Sequence, residues 1–413
     1  MLKSITNFDL IVIGAGAAGF FGAIQAVEKK PGLSVLILEK TSKLLSKVKV
    51  SGGGRCNVTH HCFEPTQLAK HYPRGRKEIK SLFRKFQVKD TVAWFESKNV
   101  KLKIEDDGRM FPITDDSQTI VDCFLNEAER NHIRIKLNSE VVRINHGKKG
   151  FEVDVGKAEH YYATKILIAA GGYNNLHSYE WIAKTLHLII PPIPSLFTFN
   201  DSEKKFTDLL GIAVAHAEVK IAGTKFCEQG PVLITHWGLS GPAIIKLSAW
   251  AADYLHAVHY TFTVLLNWTG NTSEDELKLL FFEMKNKHSK QKVITNPMFN
   301  IPQRLWQRLC ERSEIPEMKI WAELPQKNIN KLMEYLIRCP FHIKGKTTFK
   351  EEFVTCGGVD LKSIDLETME SKMMKGLYFA GEVLNIDGET GGFNFQSAWT
   401  TAYVAATSIA LNH

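Results

Sequence analysis

The chain has 413 residues, 44% hydrophobic, 23% charged and 10% aromatic. Those values exclude fibrous, collagen-like and wholly disordered classes and leave room for two or three folded domains at about 100–200 residues each. Lys and Arg number 52 against 44 Asp and Glu, a formal net charge of +8, and the excess is concentrated: Lys40 to Lys89 holds thirteen basic residues against two acids, Glu64 and Glu78. Such a zone predicts an anionic partner (a phosphate-bearing cofactor, a nucleic acid or a membrane surface), or else a solvated face that keeps the protein dispersed.

The first forty residues read as strand, Gly-rich turn, helix and strand (DLIVIG, AGAAGFFGAIQAVEK, LSVLILEK), a βαβ unit that calls for a parallel, doubly wound sheet. From Lys77 to Val100, apolar residues near helical spacing predict one or two surface helices. Between Ile133 and Ala170 come short β runs (IRIKL, VVRINH, FEVDV, KILIAAGG), the pattern of an antiparallel meander returning to a buried strand. Pro191, Pro192 and Pro194 then interrupt the chain, and neither helix nor central strand continues through such a cluster. Beyond them lie strand-like runs to Trp268, a helix opening at Pro242, a capping box of Ser273 with Glu276, and helical stretches over 302–312 and 326–337. After Lys344 the Gly-rich strand-and-turn texture returns. The predicted division is a nucleotide-binding domain from residues 1–190 and 345–413, an inserted β-rich domain at 191–271 and a helical subdomain at 272–344.

Seven cysteines without close paired spacing fit free thiols in a reducing compartment. Cys56 and Cys62 flank His60 and His61, but no second ligand pair follows, so no metal site is expected. The N-terminal MLKSITNF has no apolar stretch of signal-peptide length, and no run reaches about 18 apolar residues, so the expected location is the cytoplasm, with no membrane partner.

Gly14-Ala15-Gly16-Ala17-Ala18-Gly19 is a G-x-G-x-x-G between a strand and a helix. Gly14 permits the turn, Gly16 lets the backbone approach a pyrophosphate, and Gly19 lets the helix pack on the sheet, with the phosphates on the N–H groups at Ala17 and Ala18. Glu39 ends the second strand, where an acid reaches an adenosine ribose. This motif fits FAD or NAD alike. Leu377 to Glu382, a bulky apolar strand ending in Gly381-Glu382, is the second signature of FAD domains, and Asp387 to Gln396 then opens a helix whose Gly392, Phe393 and Asn394 point at the flavin pyrimidine ring. With a single G-x-G-x-x-G, NADH or NADPH docks only transiently as hydride donor. Ser51 to Asn57 contains three successive glycines that let backbone N–H groups lie against a ring or phosphate, with Arg55 adding a positive fork.

These segments, with Gly108 to Pro112, Thr235 to Pro242 and the run from Val354 to Trp399, resemble the YhiN/BaiN-like family of FAD-dependent oxidoreductases, also called aminoacetone oxidase family FAD-binding enzymes, over nearly the full length. The resemblance implies an α/β fold with a Rossmann-like FAD-binding domain of the two-dinucleotide-binding-domain flavoprotein type, an inserted β-domain and a helical subdomain. It carries Gly53, Arg55 and Asn57 over as cofactor contacts and adds Lys40, Val142, Ala170 and Gly171. The chain departs from the family where Ala169-Ala170-Gly171-Gly172 replaces a common A-T-G-G, in the following loop YNNLHSYE, which lacks a usual S-T-G-D-G stretch, and at Asn385 and Cys356. Those departures bear on substrate choice.

Three residues are candidate proton-transfer groups: His236, which precedes the helix opening at Pro242, and the thiols Cys56 and Cys356 near the flavin segments. Each has a structural alternative as a satisfied histidine or a buried, inert thiol. The stretch Lys70 to Lys89 interleaves eight basic residues with Tyr72, Phe83 and Phe86, which suits RNA if the rings take bases, or a plain surface helix if Phe83 and Phe86 face the core. The expected function is hydride transfer from NAD(P)H through FAD to an enone-like acceptor, in a small molecule or, alternatively, in a uridine of ribosomal RNA bound through Lys70 to Lys89. Amine oxidation is an older label for the family, and a non-enzymatic RNA-binding flavoprotein is the rival class.

Overall fold

Residues 10–13, 35–38, 166–168 and 377–379 are apolar and buried at every position, the mark of strands covered on both faces. In the computed structural model, which describes residues 6–147, 150–347 and 354–411, they form the centre of one sheet. Strands β1 (Thr6–Ile13), β2 (Val35–Leu38), β3 (Arg134–Lys136), β4 (Glu159–Ile168) and β5 (Leu377–Phe379) run parallel in the order β5-β4-β1-β2-β3. Helix α1 (Ala17–Lys29) makes the crossover from β1 to β2. The strands Val141–Gly147 and Gly150–Val155 form the antiparallel meander feeding β4. IRIKL, read as part of that meander, instead extends the parallel sheet beside β2.

The chain divides into two units, Met1–Ser195 with Lys350–His413 and Leu196–Phe349. In the first, the last helix, α5 (Phe393–Leu411), packs on α1: the Phe21 and Trp399 rings are 5.5 Å apart, and a Cβ at Gly22 would stand 3.6 Å from that of Ala402. The proline cluster does not end the extended chain. Ile189–Pro194 pairs antiparallel with Thr355–Val359, with a register shift between Ile190 and Ile193, which a two-stranded ribbon tolerates because its edges need no Pro N–H.

The second unit is a closed barrel of Thr198–Asp201, Gly238–Ser240, Cys227–Ile234, Ala213–Ile221, Thr261–Asn267 and Cys339–Thr347. The closing strand comes from beyond the helices Glu274–Lys287, Gln303–Arg312 and Gln326–Ile337, so strands and helices share one core containing Trp268, Trp306 and Trp321. The Ser273 and Glu276 capping box forms at the head of the first of these helices. No helix among the described residues is long and apolar enough to cross a membrane.

Candidate functional site

Ile13 stands opposite both Leu38 and Ile168, and Ile168 opposite Phe379. Four parallel strands therefore end in register, and Gly14, Glu39, Lys40, Ala170, Gly171, Gly381 and Glu382 all emerge from one edge. β1 is also where strand order reverses, the position at which open α/β sheets form their ligand crevice. Glu39 reaches back so that its Oε2 accepts from Ala15 N at 3.0 Å, while Lys40 Nζ lies 4.7 Å from the ring centre of Tyr173.

The glycines of the turn divide by what a Cβ would meet. At Gly14 it would fall 2.4 Å from Ala169 O, and at Gly19 1.9 Å from Gly14 O; at Gly16 it would meet nothing within 4 Å. Gly14 and Gly19 are thus demanded by the turn and by helix packing. Gly16, at φ −93° and heading α1 with no side-chain cap, is demanded by neither. The space above it and the uncapped N–H groups fit a phosphate-bearing group such as FAD. Gly381 carries β5 into the same place: its Cβ would stand 2.8 Å from that of Ala18.

A second wall comes from α2 (Ser46–Gly54), which kinks at Ser51 and ends with Gly52, Gly53 and Gly54 at φ +59°, +70° and +85°. Successive left-handed glycines aim backbone N–H groups to one side. Asn57 joins this wall to the head of α5, its amide accepting from Gly392 N at 3.0 Å and donating to Thr59 O at 2.9 Å. The loop before α5 is held by three side chains from residues 60–74. His60 Nδ1 lies 3.0 Å from Gly391 O, His71 Nδ1 lies 2.6 Å from Glu389 Oε1, and Arg74 binds Asp387 through two nitrogens, with Nε donating at 2.7 Å. Ser195 Oγ also donates to Asp387 at 2.5 Å. Sequence reading missed Glu389, His71 and the Arg74–Asp387 pair, because their partners lie more than 300 residues apart; the density of acids in DGETGG was the one available signal.

Several nominated side chains have partners within the first unit. Arg55 donates to Glu105 at 2.5 Å and reaches Asp115, with its guanidinium 4.1 Å from the Phe111 ring centre; the Glu105 bond raises its pKa further. Phe393 lies against His71, rings 4.2 Å apart and 10° from parallel. Asn394 closes the loop on Gly388 through two 2.8 Å bonds. Glu382 pairs with Lys47 at 2.5 Å. Val142 sits at the register shift between Val141 and Arg143, a bulge that takes its backbone out of regular pairing. The region around Gly171 and Gly172 carries Tyr173 and Tyr179, whose ring centres are 4.8 Å apart and whose hydroxyls burial pushes up in pKa.

The nominated proton-transfer groups fare differently. Cys56 is 0% exposed and its thiol is pushed up to about 12 by burial, so it is held protonated. Cys356 is also buried, its Sγ 3.7 Å from Ile193 O. His236 belongs to the second unit, exposed, its ring 4.2 Å from that of Trp237.

In the basic stretch the structure decides between the two readings, in favour of the surface helix. Tyr72, Phe83 and Phe86 are buried, so none is free to stack on a base; they face the core, as a surface helix requires. Arg74 is spent on Asp387 and Lys85 pairs with Glu367 at 2.6 Å. Lys70 in the turn Ala69–His71, Arg76 and Lys77 on α3 (Arg76–Leu82), Arg84 between the helices and Lys89 at the start of α4 (Val88–Ser97) are all exposed.

A family model described as the HI0933-like protein Rossmann domain matches residues 8–408. A ribosomal RNA dihydrouridine synthase of Escherichia coli (strain K12) is 30% identical, over 98% of this chain and 98% of that protein. A 3-dehydro-bile acid delta(4,6)-reductase of Clostridium scindens is 24% identical, over 97% and 98%. Among solved structures, 3-ketosteroid-delta4-(5alpha)-dehydrogenase of Rhodococcus jostii RHA1 is similar in fold, with a TM-score of 0.53 at 11% identity, over 99% of this chain and 98% of that one. With a single family model spanning both ends of the crevice and its insert, the chain belongs to the HI0933-like family, the YhiN/BaiN-like FAD-dependent oxidoreductases.

Proposed function

We propose that the protein is a flavin-dependent reductase that adds a hydride and a proton across a carbon–carbon double bond conjugated to a carbonyl, and that its acceptor is a uracil ring in ribosomal RNA. FAD supplies the hydride chemistry when bound, and NADH or NADPH renews it from solution. The chain's part is to hold and shield that group. The N–H groups at Ala17 and Ala18 take the pyrophosphate, Glu39 the ribose, Glu382 the ribityl chain, and Val142, Ala170 and Gly171 the remaining edge. The Gly52–Gly54 backbone and the head of α5 at Gly392 border the ring.

The observation that carries the RNA assignment is the row of exposed cations, Lys70, Arg76, Lys77, Arg84 and Lys89, in the same unit as the crevice. With the aromatic residues buried, the grip is on phosphates, which gives affinity and strong salt dependence but little sequence reading. The uridine is then selected by the shape of its surroundings and the fit of its ring. A small enone is the second reading, favoured by the bile acid reductase relative; uracil presents the same conjugated unit, so both readings share one reaction. His236 is retained as a proton-transfer candidate in either, and Cys356 as a buried thiol beside the site.

The purified protein should be yellow, and anaerobic NADH or NADPH should bleach it. Substrate RNA should then restore the colour while converting uridine to dihydrouridine. A flavin that neither donor bleaches would remove the enzyme reading and favour a non-enzymatic flavoprotein.

A further inference from the structure

The chain between the strand Thr59–His60 and the short helix Pro65–Leu68 turns its side chains alternately inward and outward. The His60 ring lies 4.6 Å from that of Phe393, at the head of α5. Cys62 N then donates to His60 O at 2.7 Å, a three-residue turn that leaves His61 and Phe63 exposed on either side of the half-buried Cys62. The two exposed rings meet edge to face, their centres 4.6 Å apart and their planes at 78°. Phe63 is 43% exposed, and among the described residues of the first unit no other Phe, Tyr or Trp is exposed. A single exposed ring is ordinary on a protein surface, but this one lies on the segment that runs from the Phe393 contact to the cations Lys70, Arg76 and Lys77. The acid beside it, Glu64, is turned to the backbone: it accepts from Thr66 N at 2.9 Å and Gln67 N at 2.7 Å, and these bonds, with the Lys80 charge on α3, hold its carboxyl below the ordinary range.

We propose that Phe63, set edge-on by His61, is a platform on which an unpaired base of single-stranded RNA stacks while the neighbouring cations take the phosphates. This rests on the RNA reading above and gives it a contact to bases as well as to the backbone. A uracil that reaches a flavin has to leave its stack, at the cost of the stacking it loses. An exposed ring that receives a base of the opened strand offsets that cost. Every base has a flat face, so Phe63 holds the strand without choosing the uridine. Bases inside a double helix cannot reach such a ring, which directs the protein to loops, bulges and ends.

The test compares two labelled single strands of equal length and charge, an oligouridylate and an abasic ribose-phosphate strand, by fluorescence anisotropy with the full chain at several salt concentrations. Phe63→Ala should bind the oligouridylate about tenfold more weakly than the parent at every salt concentration, and the abasic strand equally well. Its logarithmic salt slope should match the parent's, whereas Lys77→Ala should reduce the slope by about 0.7 for both strands. Phe63→Trp restores a flat ring and should bind the oligouridylate at least as tightly as the parent. A Phe63→Ala protein that keeps the parent's affinity for the oligouridylate, or that loses affinity equally for the abasic strand, would overturn the inference and leave the grip on phosphates standing. So would a Phe63→Trp protein as weak as Phe63→Ala. A parent that binds neither strand would overturn the RNA reading as well.

Discussion

Replacing Gly16 with Val puts a branched side chain where the protein leaves room for it. The backbone there is extended, at φ −93° and ψ −168°, a region Val prefers. No protein atom stands within 4 Å of the new Cβ, so folding should cost no more than the loss of a favourable N-cap, about 1 kcal/mol. The pyrophosphate is another matter. A side chain on Gly16 holds it off the N–H groups at the head of α1, and two lost hydrogen bonds to a charged group, at about 1.5–3 kcal/mol each, sum to about 3–6 kcal/mol. That is a roughly hundred- to ten-thousand-fold weaker affinity for FAD. The assay is flavin absorbance per protein after gel filtration, with a thermal melt on the same sample. Gly19→Ala is the contrasting control: its Cβ would fall 1.9 Å from Gly14 O, so it should lose stability whether or not FAD is present. Full flavin occupancy in a well-folded Gly16→Val protein would refute the cofactor placement.

Arg74→Met should lower stability by about 3–5 kcal/mol, because it strands the buried Asp387 carboxylate, whereas Arg76→Glu should leave the melting temperature within a degree or two of the parent and weaken RNA binding. Filter binding at several salt concentrations should show Arg76, Lys77 and Arg84 each contributing about 0.7–0.9 to the logarithmic salt slope when replaced by Ala; a slope unchanged by all three would remove this face as the RNA contact. Cys56 and Cys339 are pushed up to about 12 by burial, from an ordinary value near 9. A folded pKa above the unfolded one stabilises fully below the unfolded pKa, so stability should be intact at pH 8 and fall as pH rises from 9 toward 12. The upper bound is about 4 kcal/mol for each thiol. Urea melts at pH 8 and pH 10 should show that fall, and Cys56→Ala should shrink it.

What the sequence disclosed was local. The βαβ unit, the tight fit of Gly14 and Gly19 in the first turn, the capping box at Ser273 and the helix at Pro242 all depend on neighbours within a few residues, and each formed as read. What it hid was partnership over distance. Nothing in the spacing of His71 or Arg74 reveals that they close on Glu389 and Asp387, and Arg74 accordingly read as one more surface cation. Tyr72, Phe83 and Phe86 left two readings open for a related reason: interleaving with Lys and Arg looks the same whether the rings face water or the core, and only packing against α5, as in the Tyr72 hydroxyl bonded to Phe393 O at 2.6 Å, decides it. The prolines at 191, 192 and 194 ruled out a central strand, but the ribbon they form with Thr355–Val359 depends on a partner that arrives some 160 residues later.

The most direct test of the proposed activity is a map of dihydrouridine in ribosomal RNA from cells that lack this protein. At least one dihydrouridine of the parent should revert to uridine, return when the wild-type chain is supplied, and stay absent when Gly16→Val is supplied instead. A map identical in the presence and absence of the protein would contradict the RNA assignment and leave the small conjugated enone as the acceptor to pursue.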